Sequence, residues 1–329
     1  MRRITISGLV SIAGVVGALA IWPTTPWRAE EGPSVAPAQV AVAFDDVPAD
    51  RDGEIFEQVM QTAIANEVGD RPFAQIVQTV AEQFLGAAYV DGLLDRAETE
   101  ELVLSLTQFD CVLFVETVLA MARSIVARDY TYAGFGDRVE AQRYREGERD
   151  DYCSRLHYFS EWMDDNQKRS YLASINELQA QPLDKTLNFM TEHRSKYPRL
   201  VRNDANFRCI AQMETRLQSL DIQYVPTERV RQQYAALQAG DIIAIATSID
   251  GIDVTHSGLA YAQPDGSIGF IHAAPGRGVL IAADLQRYVE RVPRAIGILV
   301  ARPQIGSEAI AQRSANAVKQ STGFETNRE

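Results

Sequence analysis

Positive charge is what this sequence is short of. Its 44 acidic residues outnumber 32 lysines and arginines, a formal net charge of -12. Nucleic-acid binding needs Lys and Arg clustered against phosphate, so the balance argues against that class of partner. Acidity is otherwise an ordinary route to solubility. Cysteine is scarce, at 3 residues, but a chain of this length buries a sizeable core without metals or disulfides. Histidine numbers 4, and neither an H-E-x-x-H nor a paired C-x-x-C spacing is present. Metal-ligating chemistry therefore has no motif here, and no metal and no cofactor are expected.

The N-terminus is more informative. Arg2 and Arg3 precede an apolar stretch from Ile4 to Trp22, halted by Pro23 and Pro26. A basic start followed by such a run reads as an export signal, and the stretch is also nearly long enough to stay as a single membrane anchor. Residues 1–28 are assigned to that signal peptide or anchor, and 29–40 to a linker rich in Pro, Glu and Ala. Residues 41–303 form the folded domain, and 304–329 a flexible polar tail. Export places the chain in the periplasm or cell envelope, and a monomer is expected. In an oxidising compartment an odd cysteine count leaves one thiol over. Cys111 is the candidate for it, with Cys153 and Cys209 either bridged or separately buried.

Periodicity divides the domain. From Asp52 to Ser124 it is mostly helical, with stripes at Ile55, Val59, Ile64 and Val68 and at Phe73, Ile76, Val77, Val80 and Phe84. Asn206 to Leu220 reads as another helix. The last third changes to short apolar runs: 241–247, 254–261, 267–272, 278–281 and 296–302, with one helix near 284–290. Helices first and an antiparallel sheet later give an α+β domain.

Phe109-Asp110-Cys111 opens an apolar run through Ala122. Asp110 is a good N-cap, which puts Cys111 in the first turn of a buried helix. The partial positive charge there favours thiolate over thiol, and first-turn N–H groups are placed to stabilise an oxyanion; the Asp110 carboxylate opposes the thiolate. In the last third, Pro264-Asp265-Gly266 suits a three-residue hairpin loop that pairs Gln263 with Ser267. Counting back, Gly258 lies opposite His272, and Val254, His256, Gly258, Ile268, Phe270 and His272 share one face. His256 and His272 are then diagonal neighbours, roughly 6–8 Å apart at the backbone. A thiol with such a pair has a nucleophile, a base and an orienter.

At these residues the sequence resembles a known group. Phe109-Asp110-Cys111, Gly240-Asp241-Ile242-Ile243 and Thr255-His256-Ser257-Gly258-Leu259-Ala260 resemble the NlpC-type papain-like cell-wall hydrolases. Arg155-Leu156-His157-Tyr158 through Trp162, and Asn188-Phe189-Met190-Thr191 through Tyr197, resemble a narrower branch, the N-acetylmuramoyl-L-alanine amidase-like proteins. The resemblance implies a papain-like α+β fold. It implies hydrolysis of the amide joining N-acetylmuramic acid to L-alanine, with Cys111, His256 and His272 as the catalytic set. Peptidoglycan, or a muropeptide, is then the partner. The chain departs from the pattern with Val112-Leu113 after the cysteine, where Ser-Gly is typical, and with Ser257 after the histidine. Asp110, Arg155, His157, Trp162 and Arg277 are the candidate substrate contacts. Three other readings stay open: a stem-peptide endopeptidase, transglutaminase-like acyl transfer, and a silent envelope-binding module.

Overall fold

A computed structural model describes Phe44 and residues 46–323. The expected export segment and linker, 1–28 and 29–40, lie outside the described residues. The chain opens with α1 (Arg51–Ala65) and α2 (Phe73–Glu82). A short parallel pair, β1 (Ala88–Tyr89) and β2 (Gln108–Phe109), leads into α3 (Cys111–Ala127) and α4 (Tyr132–Arg143). There follow α5 (Phe159–Lys168), β3 (Leu172–Ala173), β4 (Gln181–Pro182), α6 (Phe189–Glu192), α7 (Pro198–Arg202) and α8 (Asp204–Leu217). The last third holds β5 (Gln223–Pro226), β6 (Ile242–Thr247), β7 (Val254–Ala262), β8 (Ile268–Ala274), β9 (Gly278–Ala282), α9 (Leu285–Val289) and β10 (Ala295–Pro303). It ends in α10 (Ser307–Gly323).

The main sheet runs β4-β5-β10-β6-β7-β8-β9, with β3 also paired to β10, and its pairs are antiparallel. Both faces are covered. On β6, Ile242, Ala244 and Ala246 pack into the core that contains α3, while Ile243 and Ile245 pack on the other side with Leu285 and Val289 of α9. A strand buried on both faces reads as a continuous apolar run, which is why this segment shows no alternation. The α3 side chains from Leu113 to Ala127 are all buried, as expected for a helix apolar on most sides.

Two expectations are corrected. Of the expected stripe Val59 and Val68 are buried, but Ile55 and Ile64 are only partly covered, and Phe56, Met60 and Ala63 take their place in the core face of α1. The expected flexible polar tail, 304–329, is helical from Ser307 to Gly323. In α10 Ala309 is buried, Gln312 donates to Asp129, Arg313 pairs with Asp70, and Asn316 donates to the Ala127 carbonyl at the end of α3. Its polar residues have carboxylates and helix-end carbonyls to bond, which is what holds a polar helix against a domain.

Candidate active site

The position of Cys111 is set by the cap of α3. Asp110 Oδ1 accepts from the Val112 and Leu113 amides at 2.9 and 2.8 Å. Of the first-turn N–H groups expected to face an oxyanion, those of Val112 and Leu113 serve the cap, and the Cys111 amide remains. Asp110 is itself half-buried, and desolvation raises its carboxyl pKa. It caps the helix and also lines the cavity beside Cys111.

Cys111 is a free, half-buried thiol. Burial, and next the Asp110 charge, push it up to about 11, while the Ser257 amide and hydroxyl and the Cys111 amide pull the other way. The resting group is therefore the neutral thiol; desolvation outweighs the helix terminus. His256 is pushed down to about 4 by burial. With the thiol raised and the imidazole lowered, both groups are held uncharged near neutral pH.

The hairpin carries the imidazoles. The Gln263 amide donates to the Ser267 carbonyl at 3.0 Å, and Gly266 has φ 83°, as the three-residue loop requires. Leu259 pairs with Ile271, and the same register puts Gly258 against His272. His256 Nε2 and His272 Nδ1 are 2.7 Å apart, with the rings nearly perpendicular at 86°. A Cβ on Gly258 would lie 2.7 Å from the His272 Cβ, so glycine is what admits the second ring. Val254 leaves the expected shared face, because the β6–β7 register shifts between Val254 and His256. His272 is buried, stacked on Phe270 at 4.6 Å and edged by Tyr288 at 4.6 Å. Burial, then His256 and Arg277, lower its pKa to about 3.

Cys111, His256 and Ser257 line one cavity of about 310 Å³, walled by segments 152–162 and 189–197. A second cavity of about 360 Å³, among α5, β5 and β10, contains no Cys, His, Lys or Arg. Cys111 and His256 therefore belong to the smaller one. Among the described residues no group of three or more His, Cys, Asp or Glu is arranged to hold a metal.

The expected substrate contacts divide. Arg155, His157 and Trp162 line the cavity, but their polar atoms are largely engaged. The Arg155 guanidinium bonds Asp95 at 2.5 Å and the Leu94 carbonyl. The Trp162 ring is buried and stacked on Phe159, and its N–H goes to Glu116, so it is a wall of the core and not a free donor to sugar. His157 spends Nε2 on the Tyr152 carbonyl. Arg277 is exposed in the turn after β8 and is not part of the lining.

Sequence reasoning missed Tyr89 and Tyr288. Burial first, and next the charge that Cys111 carries once it is a thiolate, push both phenols up to about 12, so ionisation of the sulfur is felt at both. The available signal for Tyr89 was faint: a two-residue parallel pairing with Phe109, just before Asp110. Also missed were the buried carboxylates that fix the walls. Asp253 accepts the Ser160 amide at the start of α5 at 2.7 Å, and Glu214 accepts from Tyr158, Met190 and Thr191. Cys153 and Cys209 form a disulfide with Cα atoms 6.2 Å apart, which decides between the two readings of that pair.

A crystallised N-acetylmuramoyl-L-alanine amidase from Bacteroides uniformis ATCC 8492 is similar with a TM-score of 0.65 and 26% identity, covering 70% of this chain and 99% of that one. A Bacteroides fragilis structure provisionally assigned as a xylanase has TM-score 0.62 and 28% identity, covering 68% and 99%. A Legionella pneumophila str. Philadelphia 1 protein, at 19% identity and TM-score 0.55, covers 77% and 96% and shares the fold. No curated relative matches the chain at a significant level. The model of the AmiA-like, N-acetylmuramoyl-L-alanine amidase-like family matches residues 79–298, the stretch that holds the cysteine, both histidines and most of the cavity wall, and the chain belongs to that family.

Proposed function

We propose that the chain is an exported cysteine amidase of peptidoglycan, NlpC-type and papain-like in its arrangement, cutting the bond between N-acetylmuramic acid and L-alanine. The observation that carries the reading is a free thiol at a helix start and a paired imidazole lining the same cavity. Family membership supplies the class of bond.

In this mechanism the Cys111 sulfur attacks the lactyl carbonyl carbon as His256 takes its proton. The C–N bond then breaks, and His256 returns the proton to the departing L-alanine nitrogen. Water, deprotonated by His256, hydrolyses the thioester and frees the lactyl carboxylate and the thiol. The Cys111 amide, left open by the Asp110 cap, is the donor for the oxyanion.

The role of base fixes both tautomers. For His256 to accept a proton at Nδ1, its Nε2–H must donate to His272 Nδ1. His272 then carries its hydrogen on Nε2, a buried atom with no hydrogen-bond partner, beside the Tyr288 ring. An orphaned donor costs about 1–3 kcal/mol, a strain tolerated where function needs it. A glycosidase reading, which the Bacteroides fragilis name invites, needs two carboxylates free at the sugar. Here Asp253 accepts the Ser160 and Val254 amides and Asp95 pairs with Arg155.

Incubation with muropeptides, with products identified by mass, tests the proposal. Free stem peptide beginning with L-alanine is the expected product, absent with Cys111→Ala. Cleavage beyond D-glutamate would make the chain an endopeptidase, and no product from either form would make it a binding module. Export is tested separately, by fractionating cells that express the full chain.

A further inference from the structure

His157 sits in the cavity wall with one nitrogen fixed and one free. Its Nε2 lies 2.7 Å from the Tyr152 carbonyl oxygen. A carbonyl only accepts, so the hydrogen is on Nε2, and neutral imidazole then leaves Nδ1 as a bare acceptor. Nδ1 has no protein partner, on a ring that lines the cavity shared with Cys111. The ring is held rigidly. Tyr152 packs on it at 4.5 Å, and Arg155 lies over the Tyr152 ring at 5.0 Å. The disulfide at Cys153 ties the same loop to α8.

We infer that His157 is a specificity-determining residue, a fixed acceptor through Nδ1 for an N–H or O–H of the substrate. This rests on the reading that the cavity binds the muramoyl peptide. Burial, with the charge of Arg155 second, lowers its pKa to about 3. The ring therefore stays neutral across the working range, with Nε2 the donor and Nδ1 the acceptor. A protonated ring there would present a second donor and reverse the preference. A site built to accept one hydrogen discriminates strongly against analogues that lack it, because its own polar atom is left dry.

The test uses full-length Cys111→Ala protein labelled with ¹⁵N-histidine and titrated with N-acetylmuramoyl-L-alanyl-D-isoglutamine. Only four histidines need assignment. The free protein is expected to show His157 protonated at Nε2 alone. On binding, its Nδ1 resonance moves in the sense of accepting a hydrogen bond. In parallel, His157→Gln keeps an amide donor for the Tyr152 carbonyl and removes the acceptor. Loss of one neutral hydrogen bond predicts KM raised about three- to tenfold, with a smaller effect on kcat.

If wild type cleaves this compound and His256 and His272 respond to it while His157 Nδ1 does not, the inference is overturned and the amidase reading stands. A His157 hydrogen found on Nδ1 overturns it as well. If no histidine responds and nothing is cleaved, both readings fail together.

Discussion

His256 Nε2 and His272 Nδ1 meet at 2.7 Å across a hairpin whose loop is three residues long. The second ring acts on the first by fixing which nitrogen carries the hydrogen and which way the plane faces. Asparagine at 272 offers an oxygen near the place of Nδ1, whereas leucine offers nothing. His272→Leu is expected to lower kcat about 10²-fold or more, the scale of losing a positioned acid–base group, with KM nearly unchanged. His272→Asn is expected to recover part of that loss. Equal activity in the two variants, measured as stem-peptide release, would deny His272 any positioning role.

The uncharged resting pair makes its own forecast. With the thiol pushed up to about 11 and His256 down to about 4, there is no thiolate to alkylate at neutral pH. The rate of Cys111 modification by iodoacetamide is expected to climb steadily above neutrality. A resting ion pair would instead give fast alkylation already level in mild acid. For the reaction, the base is lost only as pH falls through the lowered His256 value. The acid limb of kcat/KM is therefore expected well below the usual histidine range. A limb in the ordinary range would mean that the base is more exposed than the fold places it.

How much of this was legible depends on how far each contact reaches along the chain. The histidine pair was readable because Pro264-Asp265-Gly266 fixes a register locally, and Asp110 was readable as a cap because it bonds amides two and three residues on. The charge state of Cys111 was not. A helix start is a local feature favouring thiolate, but the burial that overrides it is assembled from the whole fold. Arg155 looked like a carboxylate binder in the sequence, yet its partner Asp95 lies 60 residues away. β3, β4 and β5 were missed because they are short, and Gln181, Pro182 and Gln223 carry no apolar period. The α10 helix was lost to a polar composition whose partners, Asp129 and Asp70, are far back in the chain.

Gly258 offers a steric test of the same pair. A methyl group there would meet the His272 Cβ, the Ile271 carbonyl oxygen and a Phe270 ring carbon, each at 2.7 Å. All three belong to residues of strand β8, and the Phe270 ring is packed against Tyr288, so none yields freely. Gly258→Ala is expected to cost about 1–3 kcal/mol, as overpacking does. It is also expected to push His272 off His256, so activity should fall further than stability accounts for. A variant that melts early but turns over normally once folded would show that the rings tolerate the displacement.

The disulfide joins the loop after α4 to α8 and closes a 56-residue separation. That loop presents Tyr152, Arg155 and His157 to the cavity, so the bond is expected to serve binding as well as stability. A cross-link over such a span stabilises by about 2–4 kcal/mol, mainly through the unfolded chain. The paired variant Cys153→Ala with Cys209→Ala should therefore melt lower. Its KM for muropeptide should rise while kcat changes little, because Cys111, His256 and His272 lie on α3, β7 and β8, outside the tethered loop. Mild reduction of wild type should reproduce the KM effect without touching the nucleophile, which is already a free thiol. A fall in kcat equal to the rise in KM would mean that the loop, once loosened, also disturbs the α3 start, and the separation of wall from catalytic centre would fail.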